Sequence, residues 1–457
     1  MVVLSRLLSP ADFGIIALLM SFSGISSVIV DCGFSQAIIR DKNVTALKLS
    51  SVFVLNLFVA VMIYIALYAF TPAICNFFNF SHHLLVVRMF FLVIIFEAIS
   101  LIPTTVLTKE MNFSWLAASQ NIATIVTGVV AICMAFLGMG LWSLVVNTAL
   151  YSLLRAVLLW LKCNCFFSCR FSFHALTDYF SFSSNLLLAA VIDQSVTNIE
   201  SLVIGKNYSK ADLGFYSRAK EINSLSSSTI IALIVKVTYP AMAQIRDDTK
   251  KFSEVYTRII GVTLFCNTIV SSFLLVSASD IVLFLWGDAW AATAVFLIPW
   301  CVYSIFFPFR AISINIFQAY GKTRRHLCIS VLYQVVRVIT IIIFVRKSII
   351  VFTYAIVLSN LLATILLSYF AMPIINSSLA QLIINSRKTL FAALTSISVV
   401  LLMQYMLNIS SPFVMICVKG LMGVAIFGGM SLYMHNPYIS EVLSVGSIVF
   451  KKLISKA

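Results

Sequence analysis

The sequence predicts an all-α polytopic integral membrane protein, and three observations carry that prediction. The chain is 61% hydrophobic and 10% charged, with a mean hydropathy of +1.04, whereas an ordinary soluble domain has about 25% charged residues. Its apolar residues are gathered into segments close to the roughly 20 residues that a helix needs to cross a bilayer. Lysine and arginine concentrate in alternate loops, the pattern that orients membrane proteins. Hydrocarbon offers no water to backbone N–H and C=O groups, so such segments are expected as helices.

Thirteen complete spans are expected, at 13–31, 51–73, 84–107, 115–137, 140–161, 178–204, 216–240, 256–278, 289–317, 326–346, 349–371, 387–407 and 412–434. Before them, Met1-Val2-Val3-Leu4 is too short to cross and reads as the last turn of a span whose beginning is absent. It has no basic region, long apolar stretch or small-residue cleavage site of a signal peptide. Fourteen spans are therefore expected in the intact protein, with the first truncated here.

The net charge of +15 would suit nucleic acid, so its distribution decides. Of 31 Lys and Arg, seventeen fall in alternate loops, among them Arg40, Lys42, Lys48, Lys109, Arg170, Arg246, Lys322, Arg324, Arg325, Arg387, Lys388, Lys451 and Lys452. The intervening loops hold four, Arg6, Lys206, Lys210 and Lys347, and ten lie within spans. That asymmetry is the positive-inside rule. It makes the basic loops and the C-terminus cytoplasmic and gives the excess charge an orienting role, with no nucleic-acid partner.

No cofactor or metal is expected. The ten cysteines are mostly within spans, where a thiol acts as a small apolar side chain. Cys163, Cys165 and Cys169 sit on an expected cytoplasmic loop, where reducing conditions disfavour a disulfide and a fourth zinc ligand is lacking. His82-His83 reads as a surface pair. Gly321-Lys322-Thr323 resembles a phosphate loop only superficially, since Ile316 stands where the first glycine belongs and no strand precedes it. Outer loops of about a dozen residues or fewer leave little room for loop-borne catalytic groups, so no enzyme is expected.

The charges within spans divide into two groups. Arg88, Arg155, Arg258 and Arg346 lie near span ends and can snorkel to the headgroups. In 178–204, Asp193, Thr197 and Glu200 fall at i, i+4 and i+7 with Gln194, Asn198 and Ser201 beside them. This polar arc suits either an aqueous cavity or helix–helix hydrogen bonding. The next span opens with Arg218, Lys220, Glu221, Asn223 and a serine cluster, so two consecutive helices present polar surface. Arg310, Arg337 and Lys419 lie deeper within their spans, Arg337 nearest a span's middle. Arginine's planar, paired donors match phosphate oxygens, so Arg218, Lys220, Arg310 and Arg337 are candidates for binding an anionic headgroup. The alternative for each is a buried pair with an acid such as Asp193, Glu200 or Glu97. The acids in turn are candidates for charge pairing or for taking up a coupling ion.

Arg6-Leu7-Leu8-Ser9-Pro10-Ala11-Asp12-Phe13-Gly14, followed by Asp31-Cys32-Gly33-Phe34-Ser35-Gln36-Ala37-Ile38-Ile39-Arg40, resembles the opening signature of the Wzx-type polysaccharide exporters. These are the lipid-linked oligosaccharide flippases of the multidrug/oligosaccharidyl-lipid/polysaccharide (MOP) superfamily. Gly138-Met139-Gly140-Leu141-Trp142-Ser143-Leu144-Val145, Asn198-Ile199-Glu200 with Ile204-Gly205, Leu213-Gly214-Phe215-Tyr216-Ser217-Arg218-Ala219, Tyr239-Pro240-Ala241 and Gly287-Asp288-Ala289-Trp290 continue the match in order. Glu200 replaces the family's more usual Asp. The truncated first span is the main departure.

The resemblance implies a MATE/MOP-like fold: two six-helix bundles related by a pseudo-two-fold axis, at 1–162 and 175–373. Two additional helices follow at 387–434 and a basic tail at 435–457. It implies alternating access, with one bundle rocking against the other. The implied cargo is undecaprenyl pyrophosphate bearing an oligosaccharide repeat unit, carried across the bacterial inner membrane for O-antigen, capsule or exopolysaccharide assembly. A polysaccharide polymerase machinery is a candidate partner. Alternatives are a peptidoglycan-precursor flippase, a cation-coupled multidrug exporter of the same superfamily, for which an acidic or aromatic cavity is expected, and an integral-membrane polymerase.

Overall fold

The computed structural model describes residues 2–41, 44–163, 171–244, 248–406 and 411–442. Within them the chain is helical with no strand. The helices are α1 (Val2–Leu7), α2 (Pro10–Asp31), α3 (Phe34–Arg40), α4 (Ala46–Phe77), α5 (Leu84–Phe90), α6 (Leu92–Lys109), α7 (Phe113–Phe136), α8 (Leu141–Lys162), α9 (His174–Asn207) and α10 (Lys210–Gln244). After these come α11 (Thr249–Val276), α12 (Ala278–Trp286), α13 (Thr293–Ala319), α14 (Thr323–Phe344), α15 (Ile349–Ala371), α16 (Leu379–Met406) and α17 (Pro412–Tyr433).

Among the described residues, eleven helices are long and apolar enough to cross a membrane, each matching an expected span. The other two expected spans, 178–204 and 216–240, fall within α9 and α10, which are 34 and 35 residues long. Outward faces are apolar: Phe58, Met62 and Ile65 on α4, and Ile125, Val129 and Phe136 on α7, are exposed. Such faces suit a lipid solvent.

The chain forms two compact units, Met1–Gly214 and Phe215–Ala457. Compactness thus divides it within α10, one helix after the repeat boundary expected near 162–175. The pseudo-two-fold relation is a matter of internal symmetry, which compactness does not decide.

In the first unit α2 packs on α4, α6, α8 and α9. A capping box starts it: Asp12 N–H donates to Ser9 Oγ at 3.3 Å, and Ser9 N–H donates to Asp12 Oδ2 at 3.1 Å. Pro10 occupies the first turn, where its missing N–H costs nothing. Ser209 and Asp212 repeat this arrangement before α10, with Asp212 N–H donating to Ser209 Oγ at 3.0 Å. Ser9-Pro10-Ala11-Asp12-Phe13-Gly14 and Ser209-Lys210-Ala211-Asp212-Leu213-Gly214 are one motif written twice.

The two copies meet reciprocally. A Cβ on Gly14 would fall 1.8 Å from the Lys210 carbonyl oxygen, and one on Gly214 would fall 2.0 Å from that of Pro10. Helices in lipid associate by close backbone approach at small residues, which gives both family-motif glycines a physical reason. Beside this crossing, Lys206 Nζ lies 4.0 Å over the Phe77 ring. Burial, with Lys206 nearby, lowers the pKa of the Lys210 ammonium.

Proline within a helix leaves the carbonyl four residues earlier without its N–H. In α6, Pro103 frees Ile99 O, and Trp160 Nε1 of α8 donates to it at 2.9 Å. In the second unit, Pro308 of α13 frees Ser304 O, and Asn267 Nδ2 of α11 donates to it at 2.6 Å. These side-chain donors tie each proline-containing helix to its neighbour.

The second unit is built on α11, which packs against α13, α16 and α17. Its core gathers Phe252, Tyr256, Ile260 and Leu264 with Ile312, Ile316 and Phe317. The chain after α17 returns to this core. The Tyr438 ring lies where a Cβ on Gly261 would be, 2.0 Å from its Cζ, and Arg258 pairs with Glu441 at 2.9 Å. The start of the segment expected as a tail is therefore packed, and the rest of it, with Lys451, Lys452 and Lys456, lies outside the described residues. Lys42, Cys165, Cys169, Arg170 and Arg246 do too.

Candidate functional site

The candidate site lies in the second unit, where α10, α13 and α14 bring three of the four predicted cations among aromatic rings. On α13, Trp300, Tyr303, Phe307 and Arg310 recur at helical spacing and share one face. Arg310 donates to the Tyr333 hydroxyl of α14 at 2.8 Å and to the Tyr303 hydroxyl at 3.3 Å. Its guanidinium also sits 4.8 Å from the Tyr333 ring centroid.

One turn beyond Tyr333, Arg337 is 7% exposed and close enough to Arg310 for the two charges to interact. Among the described residues no carboxylate pairs with Arg310. Tyrosine hydroxyls occupy two of its five N–H donors and hold the group in place without cancelling its charge.

Lys220 of α10 completes the set. Its ammonium lies 5.5 Å from the Trp300 ring and 5.9 Å from the Tyr216 ring, within cation–π range. Asn223 Nδ2 donates to Trp300 O at 2.7 Å, tying α10 to α13. The fourth predicted cation is placed differently: Arg218 is buried and forms an i, i+3 ion pair with Glu221.

The predicted acids stand in the first unit. Glu200 is fully buried and Asp193 is exposed, so the arc they define spans two environments. Between them, Gln194 and Asn198 face α2: a Cβ on Gly24 would fall 2.9 Å from Gln194 Nε2 and 3.3 Å from Asn198 Nδ2. That part of the arc serves helix packing. Glu97 lines a cavity of about 170 Å³ with Ser27, Ser100, Thr104 and Arg155, and Arg155 is its charge partner.

Several expectations for the remaining groups change. Arg155 faces that internal cavity instead of snorkelling. Arg88 holds its guanidinium 4.2 Å over the Tyr68 ring. Lys419 is a structural lock, pairing with Asp280 of α12 at 2.5 Å and donating to Val276 O at 3.0 Å. Cys163, where a disulfide was not expected, is disulfide-bonded. No group of three or more metal-ligating side chains occurs among the described residues.

Sequence reasoning overlooked Trp300, Tyr303 and Tyr333. For the two on α13 the signal was present, since Trp300, Tyr303 and Phe307 at i, i+3 and i+7 lead to Arg310. Within an apolar span that spacing reads equally well as lipid-facing packing.

The membrane-length helices and their apolar outward faces define a polytopic membrane protein. A family model described as "Polysaccharide biosynthesis protein" matches residues 3–295, and the chain belongs to that family. It is 23% identical over 289 residues to the succinoglycan biosynthesis transport protein ExoT of Rhizobium meliloti (strain 1021), covering 63% of this chain and 58% of that one. The match thus spans less than two thirds of that relative's length.

The fold is also that of two solved structures. The lipid II flippase MurJ, in an inward closed conformation, superposes with a TM-score of 0.72 at 17% identity over 96% of each chain. An inward-facing multidrug resistance MATE family transporter of the MOP superfamily superposes with a TM-score of 0.63 at 18% identity, over 83% of this chain and 93% of that one. The expected MATE/MOP-like fold is thereby borne out, and the family match bears out the polysaccharide-biosynthesis resemblance seen in the motifs.

Proposed function

We propose that this chain exports an anionic lipid-linked saccharide, a polyprenyl-pyrophosphate-linked repeat unit, across the bacterial inner membrane for surface-polysaccharide assembly by alternating access. The observation that carries this reading is Arg310, held between the Tyr303 and Tyr333 hydroxyls with Arg337 close by. A guanidinium positioned by neutral groups keeps its charge for an anion and presents planar donors suited to phosphate oxygens. Family membership supplies the saccharide.

In this reading Arg310 and Arg337 take the pyrophosphate, Lys220 adds positive charge farther along α13 at Trp300, and Arg218 acts through its pair with Glu221. Asp193 and Glu200 are the coupling acids, and Glu97 neutralises Arg155. The halves at 1–162 and 175–373, thirteen complete spans, a cytoplasmic C-terminus and a polymerase machinery receiving the product belong to the same proposal. The chain binds and moves its cargo without bond-making chemistry.

A second reading, a peptidoglycan-precursor flippase, is favoured by the MurJ-like fold and shares the anionic headgroup. A carrier of cationic drugs is disfavoured by the three cations among the rings. Deletion and complementation separate these readings. Loss of the gene should remove surface polysaccharide and leave its lipid-linked oligosaccharide inside the cell, and this chain should restore export. Accumulation of peptidoglycan precursor instead would overturn the proposal in favour of the second reading.

A further inference from the structure

Helices α13 and α14 run antiparallel and are tied to each other side chain to side chain. The rings of Phe317 and His326 meet with centroids 5.8 Å apart, and two turns on Arg310 donates to the Tyr333 hydroxyl at 2.8 Å. Continuing that register sets Val302 opposite Thr340 and Pro299 opposite Phe344. Between those pairs lies a cavity of about 470 Å³, whose remaining wall is α15 from Val351 to Leu362. The arginine and the cavity therefore belong to one seam. Eight residues of α13 separate Arg310 from Val302, about 12 Å at about 1.5 Å per residue.

The lining excludes a polar guest. No charged side chain contributes to it, and the hydroxyls of Thr340 and Ser359 donate within their own helices, to Val336 O at 2.9 Å and to Ile356 O at 2.8 Å. A polar ligand would lose its water there without gaining partners. The cavity is also open on one side: Val302, Leu358 and Leu362 are exposed, so it continues onto the apolar outward surface, where hydrocarbon can enter. A bilayer phospholipid keeps its charged end at the membrane surface, so its chain would enter from the Phe344 and Val351 end and leave Arg310 unmatched. A lipid with its charged end at Arg310 has the start of its chain at the mouth of this seam.

We infer that the seam between α13 and α14 is the berth of a polyprenyl chain. With the pyrophosphate at Arg310, the chain runs past Tyr333 and Thr340 into the cavity and on into the bilayer, between α14 and α15. The cavity lies on the side of Arg310 away from the basic turn at Lys322, so the chain points toward the opposite leaflet. The inference rests on the exporter reading above and adds the place where the cargo's lipid is held.

The test uses the full chain in phosphatidylcholine nanodiscs with two photoreactive probes, farnesyl pyrophosphate with a diazirine at the end of its chain and phosphatidylglycerol with one in an acyl chain. Adducts are mapped by peptide mass spectrometry. The farnesyl probe should label the cavity wall at Val302, Leu358 or Leu362, and unlabelled farnesyl pyrophosphate should displace it. Arg310→Gln should lower that labelling about tenfold, the loss of one charge-assisted contact, and leave phospholipid labelling unchanged. Leu358→Trp fills the cavity from an exposed position and should lower farnesyl labelling several-fold. Val302→Trp should do the same from the facing wall. Inorganic pyrophosphate, followed by calorimetry, should bind both tryptophan variants as it binds wild type.

Farnesyl adducts spread over other outward faces, such as Phe58 of α4 and Ile125 of α7, would overturn the berth. So would undiminished cavity labelling in Arg310→Gln, or phospholipid labelling of the cavity that equals the farnesyl probe's and resists displacement by farnesyl pyrophosphate. Each of these failures is visible in purified protein with export intact, whereas failure of the exporter reading appears in the complementation assay.

Discussion

Two internal arginines, one in each unit, are held in opposite ways. Arg155 of the first unit shares a cavity of about 170 Å³ with Glu97. Arg310 of the second rests between the hydroxyls of Tyr303 and Tyr333 and over the Tyr333 ring. A carboxylate cancels a cation, whereas a phenol only orients it. In the proposed function the first arrangement builds structure, and the second leaves charge for the anionic cargo. Lys419 with Asp280 is a further case of the first kind, and the comparison sorts charges within spans by their partners more reliably than by depth.

The largest effect expected from this distinction is on export. Arg310→Gln, at normal membrane abundance, should lower surface polysaccharide by more than about tenfold, since one charge-assisted contact to phosphate is worth roughly 1.5–3 kcal/mol. Next is Lys419→Met, which leaves Asp280 without its partner and should cost about 3–5 kcal/mol, read as a lowered thermal midpoint in detergent. Adding Asp280→Leu should recover most of it. Glu97→Gln should cost less, about 1 kcal/mol, because its cavity is partly open, and should leave export within about twofold. Strong loss of export in Glu97→Gln at normal stability would break the comparison by making that acid functional. The smallest effect belongs to Tyr333→Phe, which keeps the ring over Arg310 and removes one hydroxyl acceptor. It should cost about 1 kcal/mol and reduce export only a few-fold.

Much of the fold was legible because lipid imposes a simple rule, and eleven expected spans coincide with helices apolar enough to cross. The family motifs were legible as patterns, but their cause was not. The reason for Gly14 and Gly214 is a reciprocal backbone contact two hundred residues apart in the chain, and the duplication of Ser9–Gly14 at Ser209–Gly214 became conspicuous only once the copies were seen to touch. Single-residue identity misled at Arg155 and Lys419, whose acids, Glu97 and Asp280, lie on other helices. The same limit applied at Arg218, where the acid was three residues away at Glu221 and had been grouped with the polar surface. The tyrosines that hold Arg310 could not be separated from lipid-facing aromatics, because burial and partner choice are tertiary facts. Sequence found the cations, and packing divided them.

The central claim is that Arg310 is oriented by tyrosines for an anionic lipid headgroup while Arg155 shares a cavity with the acid Glu97. The most direct measurement is native mass spectrometry of polyprenyl-pyrophosphate lipid binding to purified wild type, Arg310→Gln and Glu97→Gln. The account predicts at least about tenfold weaker binding for Arg310→Gln, a loss of about 1.4 kcal/mol or more, with Glu97→Gln matching wild type. Equal binding by wild type and Arg310→Gln, or a loss confined to Glu97→Gln, would contradict it.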